Sequence, residues 1–545
     1  MRDISLSMAA KCAYVLVCVL LAVFVAYPLG LMVATSFTGE APLANFAAIV
    51  ASNAQLVANS VGSAVLASLM STALAFFVAL VIVFGPRRLS RPLMGVSLLG
   101  IISPPFVASL AYVELFGRRG LISHYVLGLS ISPYGWHGVV VMQAVFFASI
   151  NVLLLVSVLE RIDTSILEAA QDLGAKPGEV LSQMVVPLAA PTLGCCLLLT
   201  IVRCLSDYGT PVVIGGGFET IATSIYMQVV GYSDLRASAV LNMILLIMCV
   251  AVFFVYNKLM LRADKLVQGS MGSSRMVREE RLGGILGVIA LVVGIGYLAF
   301  MVLEYTTIFM SAFLKGITPA SGFTLKNFNH LFTYDLMPLM RSIVYAALAA
   351  LVATLVGSLV AYFSKRRRVR GRSVLEFVVT MPYMLPGTCI GLGYILAFNS
   401  VPLKLTGTAF ILVAVLVAKH LTVSSNALSQ SMLQIPEELD LAARDLGASE
   451  MRAFSDVIVP NLKEATTLSM VNMFSGSMVA YGAVLFLVTP AHKTAVFVLF
   501  DSLSGGKYGQ AAMLSVAIIV ISVLVNVLIK GLVMGRVSSD VSQAR

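Results

Sequence analysis

The sequence predicts an all-α integral membrane protein with twelve transmembrane helices, arranged as two parallel six-helix repeats. Three observations carry this. Charged residues make up only 11% of the chain and hydrophobic residues 59%, whereas a soluble domain carries about 25% charged residues. Nearly uncharged apolar runs of 18 or more residues recur along the chain, and a helix of about 20 such residues crosses about 30 Å of hydrocarbon. Finally, a polar segment occurs twice: "EAAQDLGAKPGEVLSQMVVP" at 168–187 and "LAARDLGASEMRAFSDVIVP" at 441–460.

The predicted spans are roughly 12–35, 57–84, 92–116, 137–159, 189–213 and 238–261, then 284–313, 341–363, 375–399, 407–430, 464–489 and 511–535. Backbone groups must be satisfied inside lipid, and ten-residue alternating segments are lacking, so helices are preferred to a β-barrel. The first span is too long for a signal-peptide core and no small-x-small cleavage site follows it, so it is read as a retained helix. "SPPF" at 103–106 and "MPYMLPG" at 381–387 interrupt the third and ninth spans. They are read as hinges, partly unwound pore backbone or packing kinks. The seven cysteines (12, 18, 195, 196, 204, 249, 389) fall in apolar spans without C-x-x-C spacing. They read as packing residues, with neither a disulfide frame nor a metal site.

The net charge of +10 is read through the positive-inside rule rather than as a nucleic-acid signature. With a cytoplasmic N-terminus, the inner segments hold 25 of the 36 Lys and Arg residues and the outer segments 9. Both termini and both copies of the polar segment are then cytoplasmic. The basic run "SKRRRVRGR" at 364–372 is expected beside anionic lipid headgroups.

The repeat extends beyond the loops. Gly174 aligns with Gly447, Pro187 with Pro460, Tyr208 with Tyr481 and Gly209 with Gly482, all at an offset of 273. Earlier in each half, Ser60 aligns with Ser342 at an offset of 282, and the longer outer loop at 117–135 absorbs the difference. The expected organisation is a first repeat at 1–262, a cytoplasmic linker at 263–283 and a second repeat at 284–545. Six spans per half make the repeats parallel, which places a translocation path between them.

Each polar segment reads as a helix–turn–helix. Asp163, Thr164 or Ser165 caps a first helix through the helix formers Glu168, Ala169, Ala170 and Leu173. Gly174 suits a left-handed turn. Pro177 starts a second helix whose Val180 and Met184 share one face, and Pro187 is expected to end it at the membrane. The second copy uses Leu441, Ala442, Ala443, Asp445, Gly447, Phe454, Ile458 and Pro460 in the same way. A short exposed helix with an apolar edge, present twice, reads as a docking knob for two copies of a partner. The alternative is a loop lying on lipid, but such helices favour Lys and Arg on the polar face, and these also carry Glu168, Asp172, Glu179, Asp445, Glu450 and Asp456.

"EAAQDLG" followed by Pro187 resembles the EAA loop of permease subunits of bacterial ABC importers: Glu-Ala-Ala, three residues, Gly, nine residues, then Ile-x-Leu-Pro. Met184 and Val186 stand for Ile and Leu in the first copy, Val457 and Val459 in the second. The second copy departs at Leu441, where the family has Glu. Together with "LPGTCIGLGYILAFN" at 385–399, the fused two-half layout is similar to permeases of the ferric-iron importer group. Related members carry thiamine, 2-aminoethylphosphonate, sugar phosphates or polyamines. The resemblance implies the type I importer permease fold, with the two loops as coupling helices seated in two ATPase subunits. It also implies a periplasmic or lipid-anchored binding protein at the outer face and a location in the bacterial inner membrane.

The chain carries no G-x-x-x-x-G-K-[ST] and no H-E-x-x-H, so ATP and Mg are expected on the partner subunits, and no cofactor, metal or catalytic residue is assigned here. The five histidines are scattered. Within the spans, Arg203, Asp207, Tyr208 and Gly209, together with Tyr481 and Gly482, read as a pore lining or gate. For Arg203 and Asp207 the competing reading is a self-neutralising pair. Lys419 and His420 have the same two readings. An ion-coupled secondary transporter and a membrane scaffold remain the rival functions.

Overall fold

The computed structural model describes residues 7–38, 42–128, 132–269, 282–316 and 321–543. Helices dominate, and an antiparallel bridge joins Leu314 to Phe323. Among the described residues, nine helices are long and apolar enough to cross a membrane, or eleven if each of two bent pairs is one span.

The expected set of twelve spans is bent at the two expected interruptions and shortened at a third place. The third span is a pair, Arg87–Ile102 and Pro105–Val126, bent by 109°, and the ninth is Arg372–Met384 and Gly387–Phe398, bent by 112°. The eleventh is only Lys463–Met478, followed by turns. Both bends have one cause. Pro104 and Pro386, 282 residues apart, are extended, with ψ 144° and 143°. Neither can donate a backbone hydrogen bond to the preceding helix. The carbonyls so freed need donors. In the second half Lys419 Nζ reaches Leu385 O at 2.8 Å and Pro382 O at 3.3 Å. In the first half no such lysine stands at the break among the described residues: Leu99 O accepts from both the N–H and the hydroxyl of Ser103, and that hydroxyl lies 2.8 Å from the Tyr305 hydroxyl. Lys419 is thus a helix-end donor at the ninth-span break.

Pro187 does not end its helix. Helix Pro177–Ser206 runs through it. A π-turn at Leu181–Val185, closed by Val186 N–H to Leu181 O, lies immediately before it. The repeat is faithful here: Phe454–Ile458 forms the same turn before Pro460. An inserted residue of this kind accommodates the missing proline N–H without breaking the helix.

The first helix of each half packs on the other half. In Met8–Ser36, Phe24 O accepts from the Tyr394 hydroxyl at 2.6 Å. Gly284–Phe313 packs against the first half, where the Tyr297 hydroxyl meets that of Ser149 at 2.9 Å. Ser60 and Ser342 also keep one role: each hydroxyl accepts the first N–H of a short helix, from Ile221 and Ala495, both at 2.8 Å. The sixth-span helix Leu235–Gly269 continues past the expected linker start at 263. Residues 270–281 of that linker lie outside the described residues.

Candidate coupling loops and gate

Each polar loop begins with a capped helix. Asp163 caps Thr164–Asp172, accepting from Ser165 N at 2.9 Å, and Pro436 precedes Glu437–Asp445. Gly174 and Gly447 then adopt φ 93° and 88°, which an L side chain rarely does. No atom lies within 4 Å of a Cβ built at either position, so backbone conformation, not space, demands glycine. Ala175 N to Ala170 O and Ala448 N to Ala443 O, both 3.0 Å, close matching Schellman turns.

The expected outward apolar edge is instead turned inward. Val180, Phe454 and Ile458 are buried, and Met184 packs against the first-half core. They seat the loops on their own bundle, because the second helix of each loop is continuous, or nearly so, with a membrane helix. Glu168, Ala169, Asp172 and Gly174 face solvent, as do Leu441, Ala442, Asp445 and Gly447. The apolar point they surround was not anticipated: Leu173 and Leu446, 273 apart, are 90% and 89% exposed. An apolar residue immediately before each turn glycine was the available signal.

The loops differ in how they are held. The first lies in an apolar core, with Leu167, Val180 and Leu181 against Phe84, Leu159 and Ile162. Its second helix meets the start of Gly284–Phe313 through backbone, where a Cβ on Gly178 would fall 3.0 Å from Gly284 Cα. The second loop is held by charge. Arg367 Nε lies 2.8 Å from Glu450 Oε1 and donates to the Tyr362 hydroxyl at 2.7 Å. Both Arg366 and Arg367 approach Asp440, at 3.9 and 3.6 Å. Arg366 also donates to the carbonyls of Ile435 and Pro436, both at 2.8 Å. Ser7 N–H completes Glu450, donating to Oε2 at 2.8 Å. All four charged side chains are at most 7% exposed. The run at 364–372 is thus not wholly a lipid-facing surface, since two of its arginines turn inward. Asp440 and Glu450 align with Leu167 and Pro177, so the clamp belongs to one half alone.

The membrane helix after each loop breaks at the tyrosines. Pro177–Ser206 stops at Asp207 with ψ 111°, and Lys463–Met478 stops just before Tyr481. Arg203 and Asp207 do not pair: the helix ends between them, and no ion pair joins them among the described residues. The Asp207 carboxylate instead accepts from Gln143 Nε2 at 3.0 Å and Thr210 N at 3.2 Å. Tyr208 and Tyr481 stack across the two halves, with ring centroids 5.3 Å apart and planes at 26°. Phe106 stands edge-on to Tyr481 at 4.8 Å, Phe500 lies 4.9 Å from Tyr481, and Tyr226 stacks on Tyr208 at 5.9 Å. Both stacked tyrosines are buried, and neither hydroxyl has a hydrogen-bond partner. The glycines beside them permit this packing. A Cβ on Gly209 would meet Phe106 Cε1 at 2.3 Å, and Gly482 lies against Gly387 backbone.

Two buried carboxylates escaped the sequence reading. Glu114 and Glu304 are 1% and 4% exposed within the bundle, and an acidic residue inside a span was itself the signal. Among the described residues, no three His, Cys, Asp or Glu side chains gather as a metal site would require.

The model of the family described as "Binding-protein-dependent transport system inner membrane component" matches residues 72–265 and 353–534, once in each half. The ferric transport system permease protein FbpB of Actinobacillus pleuropneumoniae is 30% identical over 437 residues, covering 78% of this chain and 63% of that protein. Putative ferric transport system permease protein FbpB 1 of Haemophilus influenzae is 32% identical over 409 residues, 72% of this chain and 64% of its own length. The putative 2-aminoethylphosphonate transport system permease protein PhnV of Salmonella typhimurium is 29% identical over 245 residues, 44% of this chain and 90% of that protein. The chain thus spans slightly under two thirds of the two ferric relatives. With a matching segment in each half, each holding one polar loop and one of the two stacked tyrosines, the chain belongs to the family of binding-protein-dependent transport system inner membrane components.

Proposed function

We propose that the chain is the membrane-spanning subunit of an ATP-driven importer in the bacterial inner membrane, and that it moves ferric iron by alternating access. The observation that carries this reading is the repeated lever: an exposed Leu-Gly tip, a helix running from it into the membrane, and a tyrosine at the far break. Two ATPase subunits, which supply ATP and Mg, seat on the tips around Leu173 and Leu446. A periplasmic or lipid-anchored binding protein delivers the solute at the opposite end. Drawing the two tips together moves helices 177–206 and 463–478 as levers, and the Tyr208–Tyr481 stack parts. Such a stack contributes about 0.5–1.5 kcal/mol beyond its buried area, small enough for a mechanical stroke to open. Both termini lie on the ATPase side, in keeping with the excess of Lys and Arg there.

Ferric iron as the solute rests on the two relatives named for ferric transport, and the iron passes as substrate. A phosphonate solute is the second reading, supported by the relative named for 2-aminoethylphosphonate. Uptake into proteoliposomes tests both, with ATPase and ATP inside and loaded binding protein outside. Ferric uptake that needs all three components supports the proposal. Uptake without the ATPase subunit would identify an ion-coupled transporter instead.

A further inference from the structure

A cavity of about 550 Å³ lies at the end of the bundle opposite the loops, and its lining includes Glu114, Ser311, Lys315, Lys326, Lys507 and Tyr508. Its position follows from the helix Gly284–Phe313, whose 30 residues begin beside Pro177 and Gly178 and rise about 45 Å at 1.5 Å per residue. The floor is a carboxylate. Glu114 is 1% exposed. Its Oε1 accepts from the Ser311 hydroxyl, while Oε2 is buried without a hydrogen-bond partner. A buried acceptor left unmatched is costly and calls for an N–H or O–H donor. Lys315, Lys326 and Lys507 line the same cavity, which favours an occupant that also carries negative charge; lysine is a common point-charge partner of phosphate.

The surroundings identify the source of such a molecule. Phe309, Phe323, Phe328 and Phe332, on the segments that bear Ser311 and the first two lysines, are 59%, 65%, 40% and 52% exposed. Phe313 stacks on Phe323 at 6.0 Å. Lysines at a span end extend their ammonium groups to the level of the lipid headgroups, and the exposed phenylalanine rings beside them suit acyl chains.

We infer that this cavity holds the headgroup of a membrane aminophospholipid, with its phosphate among Lys315, Lys326 and Lys507 and its primary ammonium donating to Glu114. The site lies away from the loops and the gate, and it stands or falls independently of the transported solute.

The test uses the full chain in detergent with a graded lipid series: phosphatidylethanolamine, its mono- and dimethyl forms, and phosphatidylcholine. Retained lipid is read by native mass spectrometry. Retention is expected to fall as N–H donors are lost, by about tenfold from ethanolamine to choline, the worth of one hydrogen bond to a charged group. Glu114→Gln should flatten the series, while Lys326→Ala with Lys507→Ala should lower retention of every member. A flat series in the unsubstituted chain would overturn the inference without requiring any variant to fold. Displacement by soluble phosphoethanolamine at the concentration of the lipid would overturn the lipid assignment. Uptake by proteoliposomes reconstituted from the same protein reports on transport separately.

Discussion

The two polar loops share nearly every backbone feature and differ in what holds them. The first is seated by Leu167, Val180 and Leu181 in an apolar core and touches the neighbouring helix start through glycine backbone. The second is locked by Arg366, Arg367, Asp440 and Glu450, with the helix start at Ser7 tied to Glu450. The equivalent neighbour is therefore gripped by van der Waals contact in one half and by a charge-assisted hydrogen bond in the other. The exposed tip and the π-turn before proline are common to both halves, while the fastening diverged. An apolar seat tolerates small sliding. A buried ion network does not, because displacing one member strands charge in a low-dielectric site. The second loop is in turn joined less continuously to its membrane helix, since a turn at Leu462 separates it from Lys463–Met478.

The comparison breaks most visibly at Arg367. Arg367→Ala leaves Glu450 and part of Asp440 buried without compensation, which costs about 3–5 kcal/mol. The expected outcome is a lower unfolding midpoint and loss of ATP-driven uptake. Arg367→Met with Glu450→Met should recover most of the stability, since replacing both partners by apolar groups is often close to neutral. Thermal unfolding of the single and double variants checks this, and a double variant no better than Arg367→Ala would remove the ionic account of the second seat.

A smaller effect should be equal in the two halves. Gly174→Ala and Gly447→Ala place a Cβ at φ 93° and 88° with nothing near it, so each should cost about 1–2 kcal/mol from backbone conformation alone. Unequal losses in unfolding experiments would show that the turns are not equivalent. The smallest effect is expected at Leu441, which is 52% exposed and stands where the first loop has Glu168. Leu441→Glu should leave stability within about 0.5 kcal/mol. Any change should appear as a shift in ATPase affinity measured by titration of the permease.

Much of this was legible in the chain. Gly174 and Gly447 follow from local rules, which also narrow the cap to Asp163, Thr164 or Ser165, the structure choosing Asp163, and the 273-residue offset pairs Tyr208 with Tyr481. Other features have no local signature. The exchange of first helices between halves is a tertiary choice. The carboxylate partners of Arg366 and Arg367, Asp440 and Glu450, lie about 70 to 85 residues away in sequence, so a run of basic residues looks the same whether it faces lipid or carboxylates. Arg203 and Asp207, four apart, fit a helical pairing rule that holds only while the helix continues, and it ends at Ser206. Pro187 was expected to end a helix that a π-turn lets pass. Glu114 and Glu304 are charges within spans, but neither has an acidic counterpart in the other half, so the repeat does not point to them.

The central claim is that ATPase subunits drive this chain through two exposed tips. The most direct measurement is co-purification and ATP-dependent uptake for Leu173→Asp, Leu446→Asp and the double variant. Both leucines are exposed, so folding should be unchanged within about 0.5 kcal/mol. Each single variant should weaken ATPase retention and uptake, and the double variant should abolish both while the unfolding midpoint holds. Full uptake by a correctly folded double variant would contradict the account.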